Sequence, residues 1–142
     1  MTAMVELSVV IPVYGCRACV RELYRRLCET LARITQNYEL IFVDDGSPDD
    51  SWSLLKELAA SDRRVRALRL SRNFGQDAAI TAGLSRSRGA RTVVMDCDLE
   101  EPPEAIPALY AAADEGFAIV RGVRLLPRGR RGRIHRESRP RR

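Results

Sequence analysis

The run Leu7-Ser8-Val9-Val10-Ile11-Pro12-Val13 is nearly all apolar and rich in β-branched residues. A strand with one wet face alternates polar and apolar positions. A strand without that alternation is buried on both faces, as in a parallel sheet covered by helices. Tyr38 to Val43 repeats the pattern, and between the two runs Val20, Leu23, Tyr24, Leu27, Leu31 and Ile34 recur at helical spacing with charges among them. A helix between two such strands implies a right-handed crossover and a parallel sheet.

The alternation continues along the chain. Trp52, Leu55, Leu58 and Ala59 form a helical stripe after the turn Asp44 to Ser51, which is dense in capping residues. Val65 to Leu70 reads as a third strand and Ser71 to Gln76 as a loop. Asp77 to Ser87 reads as a helix of small residues able to lie close to a sheet, and Thr92 to Met95 as a fourth strand. Pro102-Pro103-Glu104 opens a helix through Ala113, since proline suits a first turn; Gly116 stops it, and Phe117 to Val120 reads as a fifth strand. The expected fold class is α/β, a Rossmann-like parallel sheet flanked by helices.

A length of 142 residues suits one domain, and a chain near that size buries roughly 70% of its unfolded surface. The net charge of +5 averages two unlike regions. Residues 1–120 carry 14 Lys and Arg against 18 Asp and Glu, whereas residues 121–142 carry 10 Arg and a single acid, Glu137. The division is therefore expected at residue 124, with residues 125–142 an Arg-rich tail whose low apolar content predicts disorder. Two functional readings of the tail are attraction to an anionic membrane surface and adhesion to RNA; a solvated end without function is the plainer third. The sole histidine, His135, lies in this tail and is given no catalytic role.

No basic segment precedes the first apolar run, so no signal peptide is expected, and no apolar run approaches the roughly 18 residues of a spanning helix. Four cysteines (Cys16, Cys19, Cys28, Cys97) are too few for a disulfide scaffold of this length, which predicts a reducing, cytoplasmic setting. Cys16 and Cys19 lack the second pair that zinc would need and read as small helix-entry residues. Trp52 reads as a core residue rather than a sugar platform, and Asp49 and Asp50 as caps rather than ligands.

In open parallel sheets ligands sit outside the carboxyl ends of the strands. Tyr14 follows the first strand, Asp44 and Asp45 the second, Arg72 and Asn73 the third, and Asp96 and Asp98 the fourth. Loops at the opposite end, such as Gln36-Asn37 and Ser61 to Arg64, look ordinary. The triplet Asp96-Cys97-Asp98 places two carboxylates on one tight turn just past a strand. Mg2+ favours one or two carboxylates plus substrate phosphates, and such a metal neutralises a diphosphate leaving group. Taken alone the triplet reads equally as an acidic surface turn.

Other phosphate-binding chemistries do not fit. No G-x-G-x-x-G follows the first strand, which disfavours a dinucleotide-binding Rossmann domain. No G-x-x-x-x-G-K-[ST] exists, and the only lysine, Lys56, lies in a helix. Phosphatases that use D-x-D as nucleophile carry it after the first strand with a later lysine, and neither condition holds here.

Four segments in register resemble glycosyltransferase family 2, in particular its dolichol-phosphate mannose synthase-like and bacterial polyprenyl-phosphate branch. They are Ser8 to Tyr14, Phe42 to Asp49, Leu70 to Gln76 and Met95 to Glu104. The resemblance implies a GT-A fold and a nucleotide-sugar donor, either a UDP- or a GDP-sugar, bound with Mg2+ or Mn2+. By position it assigns Pro12 and Tyr14 to the nucleoside pocket, Val43 to packing on the base and Asp45 to a base N–H. Asp96 is assigned to the ribose and metal, Cys97 to a backbone contact, Asp98 to the metal and Arg124 to the phosphates. The acceptor it implies is a polyprenyl phosphate, reached from the cytoplasmic face of a membrane; no specific nucleic acid is expected.

Three departures stand out. Gly15-Cys16 replaces the family's Asn-Glu, which removes a carboxylate. Glu100 replaces a common Gln; its carboxylate is either a further metal ligand or a repulsive charge beside the donor phosphates. The sequence ends 44 residues after Asp98, before the region where relatives place the acceptor loop and general base. The expectation is therefore the donor-binding half of a transferase, as a truncated or frameshifted product or a domain that needs a partner; the alternative is a non-catalytic nucleotide-binding or interaction module.

Overall fold

The computed structural model describes residues 4–123 and 133–137. These fall into two compact units, Met1–Pro103 and Glu104–Arg142.

In the first unit β1 (Leu7–Val13), β2 (Tyr38–Asp44), β3 (Val65–Arg69) and β4 (Arg91–Val94) form one parallel sheet in the order β3-β2-β1-β4. Every residue of β1 and β2 is buried, which is why neither strand alternates in sequence. Helices α1 (Arg17–Leu31), α2 (Ser51–Ser61) and α3 (Gln76–Arg86) connect the strands. The stripe foreseen on α1 is buried at Val20, Leu23, Leu27 and Leu31.

On one face of the sheet, Val10, Ile41 and Val43 pack with Ala79 of α3, joined by Leu68, Leu70 and Ala82. The small residues of α3 let its backbone come close. A Cβ built on Gly83 would lie 2.3 Å from Val10 Cγ1, so any side chain there would collide with the sheet. Val9, Ile11, Leu40 and Phe42 alternate to the opposite face and are fully buried.

The amino end of the sheet holds a closed polar network. Glu39, 1% exposed, accepts hydrogen bonds from Ser8 Oγ (2.7 Å), the Arg88 amide (2.7 Å) and the Arg88 guanidinium (2.8 and 3.0 Å). Burial alone would raise its carboxyl pKa; the bonds from Arg88 and Ser8 outweigh burial and hold it below the usual range. At the same end Asp62 accepts from Arg64 (2.9 Å) and from Tyr24 Oη (2.8 Å). The Arg64 bond is the chief reason its pKa falls to about 2. The loops that look ordinary in sequence are thus tightly paired.

The second unit contains α4 (Ile106–Asp114), entered through a 3₁₀ turn at Pro103–Ala105, and the strands β5 (Ile119–Val123) and β6 (Arg133–Glu137). β5 pairs antiparallel with β6, from Ile119↔Glu137 to Val123↔Arg133. The expected fifth strand is therefore present but does not extend the parallel sheet. Nine residues separate β5 from β6, enough for an antiparallel connection but short of the dozen or more that a parallel crossover needs. Five residues of the tail expected to be disordered are a strand, because a backbone ladder along β5 does not depend on apolar content. The boundary between the two compact units lies between Pro103 and Glu104.

Candidate functional site

Register carries the reactive side chains to one end of the sheet. Val13 pairs with Asp44, the Asp45 amide donates to Val13 O (2.9 Å) and the Leu70 amide to Asp44 O (2.9 Å). The Met95 amide donates to Val10 O (3.1 Å), so the chain after β4 emerges beside the chain after β1. These exits frame a cavity of about 400 Å³, a size at the lower end of small-ligand sites. Pro12 and Val13 line it from β1, Tyr14 and Cys16 from the turn after β1, Asp45 from just after β2, Asn73 and Gly75 from the β3–α3 loop, Gln76 from the start of α3, and Asp96, Cys97 and Asp98 from the turn after β4.

Asp45 organises the loop wall. It is 4% exposed, and its two carboxylate oxygens accept from the amides of Phe74 (2.8 Å) and Gly75 (3.1 Å). The loop can come this close because Gly46 has no side chain; a Cβ there would lie 2.7 Å from the backbone of Arg72 and Asn73, and its φ of +73° favours glycine besides. Asp44, fully buried, has an Oδ2 without a hydrogen-bond partner, 3.5 Å from Arg69 Nε.

The loop in turn touches the acidic turn: Gln76 Nε2 donates to Asp96 Oδ1 at 2.6 Å. Asp98, exposed, accepts from the Glu100 amide (3.0 Å) across Leu99, whose φ of +64° is rare for a bulky residue. Backbone strain of that kind amounts to about 1–3 kcal/mol and concentrates at functional turns. Tyr14 is 52% exposed at the rim.

Six residues expected from sequence line this one cavity: Pro12, Tyr14, Asp45, Asp96, Cys97 and Asp98. Val43 does not; it is fully buried in the core against α3, because its register on β2 points it to that face. Glu100 is not on the cavity wall, and among the described residues no group of three or more His, Cys, Asp or Glu is placed to hold a metal. Arg124 lies outside the described residues. Asp96 and Asp98 nonetheless supply hard oxygen donors to one cavity, which fits an ion held by two carboxylates and substrate phosphates. Asn73, expected at the carboxyl end of the sheet, lines the cavity, and so do Gly75 and Gln76 from the same matching segment, which carry no sequence signal of a role.

Cys16, expected to be an inert helix-entry residue, forms a disulfide with Cys97 across 81 residues of sequence, with Cα atoms 6.2 Å apart. Local spacing carries no information about a partner that distant. Cys19 and Cys28 are free. Trp52 is half-buried under the Arg69 guanidinium, 5.5 Å away, and away from the cavity. The residue at the N-cap of α2 is Asp50, without a side-chain cap bond; Asp49, one residue earlier, ties the turn instead, accepting from the Ser51 amide and hydroxyl and from the Arg17 amide.

A parallel sheet with a D-x-D turn and a cavity at its carboxyl end defines a GT-A-like α/β domain. Solved structures agree on the fold: TarS 1-349 of S. aureus in complex with UDP-GlcNAc aligns with a TM-score of 0.60 at 22% identity, over 78% of this chain and 32% of that one. PcManGT, a mannosyltransferase from Pyrobaculum calidifontis in complex with GDP-Man and Mn2+, aligns with 0.61 at 19% identity, over 75% and 31%. The chain belongs to glycosyl transferase family 2, whose profile matches residues 8–142. Among its relatives, the uncharacterized glycosyltransferase YkcC of Bacillus subtilis is 41% identical over 91% of this chain and 40% of its own length. An undecaprenyl-phosphate 4-deoxy-4-formamido-L-arabinose transferase of Klebsiella pneumoniae is 46% identical over 84% of this chain and 37% of its own length. The chain thus spans about two fifths of the length of these relatives. No helix among the described residues is long and apolar enough to cross a membrane.

Proposed function

We propose that the chain binds the UDP- or GDP-sugar donor of a family 2 glycosyltransferase, with Mg2+ or Mn2+, for transfer to a polyprenyl phosphate at a membrane surface. The observation that carries this reading is the convergence of Asp96 and Asp98 on the cavity that Pro12, Tyr14 and Asp45 also line. The relatives' polyprenyl-phosphate chemistry and the neighbours' UDP-GlcNAc and GDP-Man ligands point the same way.

Each residue has a part that its placement allows. The exposed ring of Tyr14 and the ring of Pro12 offer a surface for a base. Asp45 holds the loop with one lone pair on each oxygen, leaving others to accept a base N–H. Asp96, oriented by Gln76, and Asp98 would hold the metal. The metal, when bound, neutralises charge on the departing diphosphate. The protein's contribution is a pre-shaped acidic turn that needs little reorganisation when donor arrives.

Binding and transfer are measured apart. Calorimetric titration with UDP and GDP in the presence of Mn2+ tests donor recognition, and saturable binding of one of them is expected. A transfer assay with nucleotide sugar and polyprenyl phosphate tests turnover. Binding without transfer would favour the second reading, a nucleotide-binding module.

A further inference from the structure

The hydrogen-bond ladder between β1 and β4 ends early. It runs from Leu7↔Arg91 to Val10↔Val94, and the last tie is the Met95 amide to Val10 O. On its other side β1 stays paired with β2 as far as Val13↔Asp44. The Asp96–Asp98 turn therefore leaves the sheet three residues before β1 does. The Cys16–Cys97 disulfide spans that gap: one sulfur belongs to the residue capping α1, the other to the residue between the two aspartates. Both cysteines line the cavity.

We propose that Cys16–Cys97 is a reversible positioning bridge. Closed, it holds the Asp96–Asp98 turn against the β1–α1 turn in the geometry that lines the cavity; open, it releases the turn and weakens whatever the cavity binds. The identity of that ligand as a nucleoside diphosphate rests on the reading above; the bridge does not. Cys97 is buried, but Cys16 is half-buried and open to a small thiol reagent. Disulfides in cytosolic proteins are commonly transient and redox-sensing.

The oxidant is a low-molecular-weight disulfide such as oxidised glutathione. The thiolate of one cysteine attacks it, forming a mixed disulfide and releasing one small thiol. The thiolate of the other then displaces the second small thiol. Two protein thiols and one small disulfide become one protein disulfide and two small thiols; two electrons pass to the reagent and the protons end on its thiols. A dithiol reverses the exchange.

The test uses the full chain equilibrated with oxidised glutathione or with dithiothreitol. Alkylation after denaturation is expected to label two cysteines in the oxidised protein (Cys19 and Cys28) and all four in the reduced one. Amide exchange over residues 96–101 is expected to quicken about tenfold on reduction, and the Kd for UDP or GDP with Mn2+ to rise about tenfold, as when the competent state falls to a tenth of the population. Cys16→Ala is expected to show the weak value under both conditions, and Cys19→Ser to behave as wild type. Four free thiols after oxidised glutathione, or exchange over 96–101 that ignores the redox state, would overturn the bridge. Redox-dependent exchange with no nucleotide bound in either state would uphold the bridge and count against the donor reading alone.

Discussion

At the amino end of the parallel sheet, acids are matched by cations and amides within the same cluster: Glu39 by Ser8, Arg66 and Arg88, and Asp62 by Arg64 and Tyr24. At the carboxyl end, Asp96 and Asp98 take single bonds, from the uncharged Gln76 and from a backbone amide, and face a cavity. Both ends are rich in charge, yet among the described residues it is the carboxyl end that leaves carboxylate valence open toward a cavity. Acidic residues in a sequence therefore mark a site only when the fold denies them internal cations. Asp45 sits between the two conditions. It is buried and doubly bonded like Glu39, but to a loop that lines the cavity.

This contrast can be broken by substitution. Glu39→Ala removes the acceptor that Ser8 and the Arg88 amide share, and stability is expected to drop by about 3 kcal/mol in urea denaturation. Nucleotide affinity in the folded protein should stay put; a parallel loss of affinity would mean that the two ends are not independent.

Acid tests the same closed end. Asp62 has a folded pKa of about 2 against 3.8 for an unperturbed group. Because the folded value is the lower one, its contribution is fully present above about pH 4 and is lost as pH falls toward 2. It amounts to about 2 kcal/mol, with Glu39 adding in the same direction. Asp62→Asn should flatten the stability profile across that window.

Asp45→Ala is expected to affect both readouts, with about 1.5 kcal/mol of stability and about tenfold in nucleotide affinity lost. An effect on stability alone would make Asp45 a member of the closed class. The smallest change is expected from Gln76→Ala, about fivefold in affinity with stability within about 0.5 kcal/mol, since it removes one hydrogen bond from Asp96 near the surface.

The parallel core was legible because burial on both faces writes itself into consecutive residues, as in Leu7 to Val13 and Tyr38 to Val43. The edge that carries the cavity was legible because each strand's last residues precede its polar loop. Features set by tertiary pairing were not. Val43 is apolar in either location, and only register decides that it faces α3. The fifth strand reads the same whichever partner it takes, and its partner is β6. The Cys16–Cys97 pairing and the Gln76–Asp96 bond join segments 81 and 20 residues apart, beyond any local pattern.

The most direct measurement is calorimetric titration of UDP and GDP into wild type and Asp98→Ala, each with and without Mn2+. Donor nucleotide should bind wild type only when the metal is present, and Asp98→Ala should bind at least about 100-fold more weakly while unfolding at the same urea concentration. Binding that ignores both the metal and the substitution would contradict the assignment of the carboxyl-end acids to a metal–diphosphate site.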